Sequence, residues 1–180
     1  MKHILHIFGA SGSGTSTLAR RLCDELGYTF MDTDDYFWVP TDPPFTTCRT
    51  VEDRLNRIRQ DFETAQNAVL SGSLGSWGSP LLPYFTLGVR IEMDQDLRIQ
   101  RLHQREVERF GPRIAPGGDM YAHHLEFLEW AKRYDTGGLE VRSKAKHDLW
   151  QSQLPCPTLL LDGADTVENH VQNVLKALNL

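Results

Sequence analysis

The chain has 180 residues, 40% of them apolar and 24% charged, with a formal net charge of −5. Those figures fit one soluble α/β domain spanning residues 1–180 with a full core, and they exclude a disordered or fibrous chain. The negative charge argues against nucleic-acid or anionic-membrane partners, so a polyanionic ligand would have to be met by a local group of arginines.

The N-terminus runs directly into an apolar stretch, Ile4, Leu5, Ile7 and Phe8, which reads as a short buried strand. It breaks into Gly9-Ala10-Ser11-Gly12-Ser13-Gly14, and Thr15-Ser16-Thr17-Leu18 then opens a helix running to about Leu26, where Gly27 supplies the left-handed cap. Strand, glycine loop and helix in register form a phosphate-site pattern, because successive backbone N–H groups converge and the helix N-terminus adds partial positive charge.

A second strand is expected at Tyr28–Met31, ending in the acidic run Asp32-Thr33-Asp34-Asp35. The proline-rich segment Trp38 to Cys48 cannot be a helix or central strand and reads as a stiff loop. An amphipathic helix follows over Val51–Asn67, capped by Thr50, then a strand at Ala68–Ser71 and another at Val89–Asp94. Further helices are expected at Gln95–Phe110, at Met120–Tyr134 (apolar enough to be well buried, with Phe127 and Trp130 in the core) and after Ser143. A last strand at Thr158–Leu161 leads through Asp162-Gly163-Ala164-Asp165 into a final helix marked by Val167, Val171, Val174 and Leu178. Alternating strands and helices imply right-handed crossovers and a five-stranded parallel sheet covered on both faces. Ligands in such sheets sit at the carboxyl edge, where the glycine loop and the Asp32–Asp35 run both fall.

Cys23, Cys48 and Cys156 are far apart and lack metal-ligand spacing, which fits free thiols in a reducing cytoplasm. No leader-like segment follows Lys2, and no run approaches the ~18 apolar residues of a membrane span. His123, His124 and Glu126 could be drawn as a metal site, but adjacent histidines point to different sides of a helix, so packing is the stronger reading.

The loop resembles that of P-loop nucleotide-binding proteins, G-x-x-x-x-G-K-[ST]. Gly9, Gly14 and Ser16 match, while the lysine position holds Thr15. The resemblance implies that residues Gly9 to Thr17 (Gly9, Ala10, Ser11, Gly12, Ser13, Gly14, Thr15, Ser16 and Thr17) cradle the phosphates of ATP, with Ser16 holding Mg²⁺. The order of the remaining elements is similar to that of small-molecule and nucleotide kinases, of the adenylate kinase and shikimate kinase types. Asp32-Thr33-Asp34 matches the D-x-D of shikimate kinases, which implies that Asp32 supports the Mg²⁺ and Asp34 orients or deprotonates the acceptor hydroxyl. Ser71-Gly72-Ser73 stands where adenylate kinases carry D-G-[FY]-P-R, and the missing arginine argues against AMP as acceptor.

Arg98, Arg101, Arg105 and Arg109 fall within an arc of about 80° on a helical projection and would form one cationic ridge, read as a lid helix over the nucleotide within a lid region of about 95–120. In the resemblance, a lid arginine such as Arg98 meets the phosphates and adenine lies against Gly163 and Ala164. Thr15 leaves a deficit, because arginine-type stabilisation of a phosphoryl transition state is worth ~10³–10⁵ in rate, roughly 4–7 kcal/mol. The candidates to supply that charge are a ridge arginine (Arg101 or Arg105) and, as second choice, Arg142. The expectation is therefore an ATP- and Mg²⁺-dependent kinase of a small metabolite or nucleotide; the alternative is a protein on the same fold that binds nucleotide without turning it over. No [NT]-K-x-D motif supports a GTPase, and Ala68–Ser71 lacks the terminal aspartate of a motor ATPase. Arg49 or Arg54 could meet an acidic acceptor.

Overall fold

A computed structural model of the chain describes residues 2–180. Five strands, β1 (Ile4–Gly9), β2 (Thr29–Asp32), β3 (Ala68–Ser71), β4 (Leu87–Glu92) and β5 (Thr158–Asp162), form one parallel sheet in the order β2-β3-β1-β4-β5. All six residues of β1 are buried, as a central strand requires. The chain leaves β1 toward β2 and β3, then crosses to β4 on the other side. The loop after β1 thus sits where the strand order reverses.

The seven α-helices are α1 (Thr15–Leu26), α2 (Thr33–Phe37), α3 (Val51–Thr64), α4 (Gln95–Phe110), α5 (Tyr121–Lys132), α6 (Lys144–Gln153) and α7 (Val167–Ala177). They make three layers, because β1 alternates. Leu5 and Ile7 pack with Leu18 and Leu22 of α1 and Val171 and Val174 of α7, whereas Ile4 and Phe8 pack with Ile58 and Phe62 of α3 and Trp150 of α6. Most helices begin at a side-chain cap: Thr50 for α3, Asp94 for α4, Ser143 for α6 and Thr166 for α7 each accept a bond from a first-turn N–H. Gly27 closes α1 in the left-handed conformation, φ 67°, donating its N–H to Cys23 O.

Three readings of the sequence are corrected. First, β4 spans Leu87–Glu92 instead of Val89–Asp94, because Asp94 caps α4; Asp32 likewise accepts the Asp34 N–H at 3.0 Å and starts α2. Second, α5 is not well buried. Only His124 and Ala131 are enclosed, and Phe127 and Trp130 are half-buried and stacked on each other at 5.8 Å instead of lying in the core. Third, α4 does not present its arginines as one ridge. Arg98 is fully buried, because the same side of the helix carries Leu102 into the body of the protein. The segment Trp38–Cys48 is irregular, as its prolines dictate, and is pinched by a single bridge between Trp38 and Cys48.

A polar thread runs through the α3/α6 side of the core. His6 lies between the rings of Phe8 and Phe85 at 5.0 and 4.8 Å. Its Nδ1 accepts from Trp150 Nε1–H at 3.0 Å, which leaves Nε2–H to donate to Gly72 O at 2.9 Å. Both partners need the neutral ring, and burial holds His6 down to about 4. In the unfolded chain the same ring titrates near 6.5, so the native state loses stability as the pH falls from that value toward 4. His6→Gln should therefore flatten the acid limb of stability. Wild type should lose roughly 3 kcal/mol more than the variant between pH 7 and pH 4, measured as urea midpoints.

Candidate active site

The loop between β1 and α1 is a bare-backbone cradle. Gly12 and Gly14 have φ of +87° and +96°, and a Cβ on Gly9 would come within 2.5 Å of Ile91 O. Gly12 meets α4 directly, since a Cβ there would lie 2.7 Å from Arg98 O and 2.8 Å from Leu102 Cγ. The loop is braced by Ser13 N–H to Ala10 O at 3.1 Å. Ser13 is buried and its Oγ has no hydrogen-bond partner, whereas Ser11, Thr15, Ser16 and the exposed Thr17 line the open side.

Beside the cradle, Ser16 Oγ donates to Asp32 Oδ2 at 3.0 Å and lies 3.1 Å from Ser71 Oγ. This set of two hydroxyls and one carboxylate is all oxygen, the donor chemistry that suits Mg²⁺ completed by water and phosphate. Ser71 was not singled out for that role in the sequence; it reaches the site because β3 runs beside β1. No group of three His, Cys, Asp or Glu residues among the described residues is arranged to hold a metal by itself. His124 instead meets His103, Nε2 to Nδ1, at 3.2 Å.

The arginines separate into different tasks. Arg98 Nη1 donates to Ala131 O at 2.9 Å and Nη2 pairs with Asp135 at 3.0 Å, so its guanidinium pins the end of α5 and is unavailable to a ligand. Arg101 donates to Gly163 O at 3.2 Å and thus belongs to the turn after β5, where Gly163 is buried and Ala164 exposed. Arg105 pairs with its neighbour Glu106 at 2.9 Å but still acts on Asp34 electrostatically. Arg109 lies over the Phe45 ring at 4.9 Å, and Arg113 beyond it pairs with Asp42 at 2.7 Å. These contacts join the far end of α4 to the proline-rich loop.

Arg142 is the cation that reaches the cradle. Its Nη1 donates to Ser11 Oγ at 3.1 Å, and its guanidinium lies over the Trp130 ring at 5.3 Å. It forms no ion pair with a carboxylate among the described residues. Burial pulls its pKa below the ordinary arginine value, with the fields of Asp34 and Asp32 opposing. The backbone that follows it is fixed: Lys144 N–H donates to Tyr134 O at 2.8 Å, and Ser143 Oγ donates to Gly138 O at 2.7 Å while capping α6.

Asp34 faces the same space. Its side chain is exposed to solvent, yet partial desolvation raises its carboxyl pKa, Asp32 and Asp35 push the same way, and Arg142 and Arg105 oppose. Arg54 of α3 is 7% exposed, its Nε has no partner while its Nη2 donates to Arg49 O at 2.6 Å, and its guanidinium lies 3.7 Å over Phe37 and 5.5 Å from Trp77. Arg49, by contrast, is used up on backbone oxygens of Asp35 and Trp38 and on Asp53. Ser73, Tyr134 and His147 escaped sequence reasoning. His147 Nε2 meets Ser73 Oγ at 3.0 Å and its Nδ1 meets Tyr134 OH at 2.8 Å.

The chain is 40% identical over 179 residues to YqaC of Bacillus subtilis, an uncharacterized protein, with 99% of each chain covered. No family model matches. Among solved structures, it superposes on a shikimate kinase from Bacteroides thetaiotaomicron with a TM-score of 0.60 at 18% identity, covering 99% of both chains. It superposes on a sugar kinase from Janibacter with a TM-score of 0.56 at 15% identity, covering 99% of this chain and 95% of that one. For a gluconokinase from Sinorhizobium meliloti the TM-score is 0.53 at 16% identity, with 98% and 91% covered. The fold is the three-layer P-loop fold of shikimate kinase.

The raised pKa of Asp34 means that its ionised form is less favourable in the folded protein than in the unfolded chain, so at neutral pH the carboxylate costs a little stability, the effect being kept small by its exposure to solvent. Asp34→Asn should raise the thermal midpoint at pH 7, and the gain should disappear as the pH falls below the ordinary aspartate range. Melting curves across that range check the sign.

Proposed function

The chain belongs to the family of Bacillus subtilis YqaC, and we propose that it is an ATP- and Mg²⁺-dependent kinase of a small, anionic metabolite. The observation that carries this reading is Arg142: a half-buried guanidinium, with no carboxylate partner among the described residues, donating to the glycine loop that lacks a lysine. Desolvation of a cation without a carboxylate partner is unfavourable, and an anion in the cradle would offset it. The likeness to kinase structures supports the reaction class through the fold alone.

In this reading the backbone from Gly9 to Thr17 holds the phosphates and Arg142 answers the charge that builds on the transferred group. Ser16 and Asp32, with Ser71 beside them, would hold Mg²⁺, which supplies further charge neutralisation when bound. Asp34 accepts the proton of the acceptor hydroxyl as its oxygen bonds to the γ-phosphorus and the bond to the bridging oxygen breaks. The purine side of the nucleotide faces Gly163 and Ala164, with Arg101 fastening that turn to α4. Arg54, with its unpartnered Nε, supports an acceptor that carries its own negative charge. The absence of an arginine in Ser71-Gly72-Ser73 weighs against AMP. The moving part of the lid region is the arm beyond Leu102, because Arg98 and Leu102 are packed against Gly12.

A panel of small hydroxylated acids and phosphates, screened for acceptor-dependent ADP release, tests the reading. ATP binding without release above background from any acceptor would instead favour a nucleotide-binding protein that does no chemistry. With an acceptor in hand, Asp34→Asn should lower turnover ~10²–10⁴-fold, measured as initial rates. Arg142→Ala should lower kcat by about 10³-fold while leaving ATP affinity within a few-fold. Thr15→Lys should not accelerate the wild type, whose cradle already has a cation, but should restore part of the rate in the Arg142→Ala background.

A further inference from the structure

The P-loop lysine of related folds grows from the cradle itself and needs no outside support. Arg142 arrives from a separate loop and makes one hydrogen bond to the cradle, at the Ser11 hydroxyl. A long, flexible side chain held by one bond would sample many rotamers, and its charge would be spread over a volume instead of fixed at one point. Something must hold it.

Three observations identify the support. The face of Trp130 lies 5.3 Å from the Arg142 guanidinium carbon, within the range of a cation–π contact. Trp130 is only half-buried and stacks on Phe127, so core packing does not account for its place. And the residue next to it, Ala131, is where buried Arg98 fastens α5 to α4, with Asp135 one turn further along taking the second nitrogen. The helix end that carries Trp130 is therefore fixed to the helix against which Gly12 of the cradle rests. Trp130 is held in register with the loop it serves.

We propose that Trp130 is the positioning residue for Arg142: its indole face holds the guanidinium against the glycine loop and sets where the cation meets the transferred phosphoryl group. This rests on the kinase reading above. Trp130 touches no reacting atom, so its effect should pass entirely through Arg142.

The test needs no acceptor. Calorimetric titration of the full chain with Mg-ADP, alone and with aluminium fluoride, separates ground-state binding from binding of a planar stand-in for the transferred group. Trp130→Leu, which keeps bulk but removes the π face, should weaken the aluminium fluoride complex about tenfold while Mg-ADP alone stays within about twofold. Trp130→Phe should recover most of the loss. In the Arg142→Ala background, Trp130→Leu should add nothing, because a residue that acts only through its partner is silent once that partner is gone. If Trp130→Leu proves unstable in melting curves, Trp130→Met replaces it. An unchanged fluoride complex in the Trp130 variants, while Arg142→Ala weakens it, would overturn this inference alone. A further loss in the double variant would also overturn it, since Trp130 would then contact the ligand directly. Should Arg142→Ala itself leave the fluoride complex unchanged, the assignment of the cation falls first and this proposal falls with it.

Discussion

The site turns on the meeting of a neutral glycine loop with a guanidinium from a distant part of the chain, Ser11 Oγ to Arg142 Nη1. The loop can surround an anion but brings no full charge of its own, because Thr15 stands at the lysine position. The guanidinium has charge but no carboxylate partner among the described residues, and burial penalises it. Each is incomplete without an anion between them. A phosphate relieves both deficits together, whereas a neutral ligand relieves neither.

Much of the surrounding architecture keeps these two parts in register. Gly12 allows α4 to approach the loop closely, and Leu102 seals that contact from the core side. Arg98 spends its charge on Ala131 and Asp135, so the end of α5 cannot drift from α4. On the opposite flank, Gly72, with φ of +116°, lets Thr33 press against the β3 turn, which brings Ser71 beside Ser16 and Asp32. The polar thread of His6, Trp150, His147, Tyr134 and Ser73 lies between those flanks. Because burial holds His6 and His147 down to about 4 and about 3, the thread stays uncharged at neutral pH. It therefore joins the α5–α6 region to the sheet without bringing a second cation near Arg142.

The fold was legible because periodicity and glycine placement are local. The bounds of α4 and β3 follow from apolar spacing and caps, and the loop after β1 follows from its glycines. Where boundaries slipped, a longer-range contact had decided them: α3 ends at Thr64 instead of Asn67, and Asn67 then accepts from the His3 N–H and pairs with the strand edge. The arginine ridge misled for a related reason. Helical projection shows which residues share a side, but not which side the body of the protein covers, and Arg98 shares the covered side with Leu102. Arg142 stood in the sequence as second choice for the missing charge, on no more than its place before a helix cap. Its approach to Ser11 depends on the packing of α5 and α6, which no local pattern encodes. Trp130 was read as core because its composition suits a core; its partner is a cation that the sequence places twelve residues away.

The arm made by α4 and α5 is fastened differently at its two ends. Near the cradle, Arg98 is enclosed and also donates to Ala131 O, while its partner Asp135 is 39% exposed, so salt reaches this pair from one side only. At the far end, Arg113 bridges Asp42 and Asp119 in the open, with side-chain exposures of 37%, 81% and 55%, and such pairs contribute little and weaken as salt rises. Ionic strength therefore acts on this molecule as a graded control. It loosens the tip of the arm from the proline-rich loop more than the root, where the buried Arg98 bond to Ala131 O carries no counter-charge to screen.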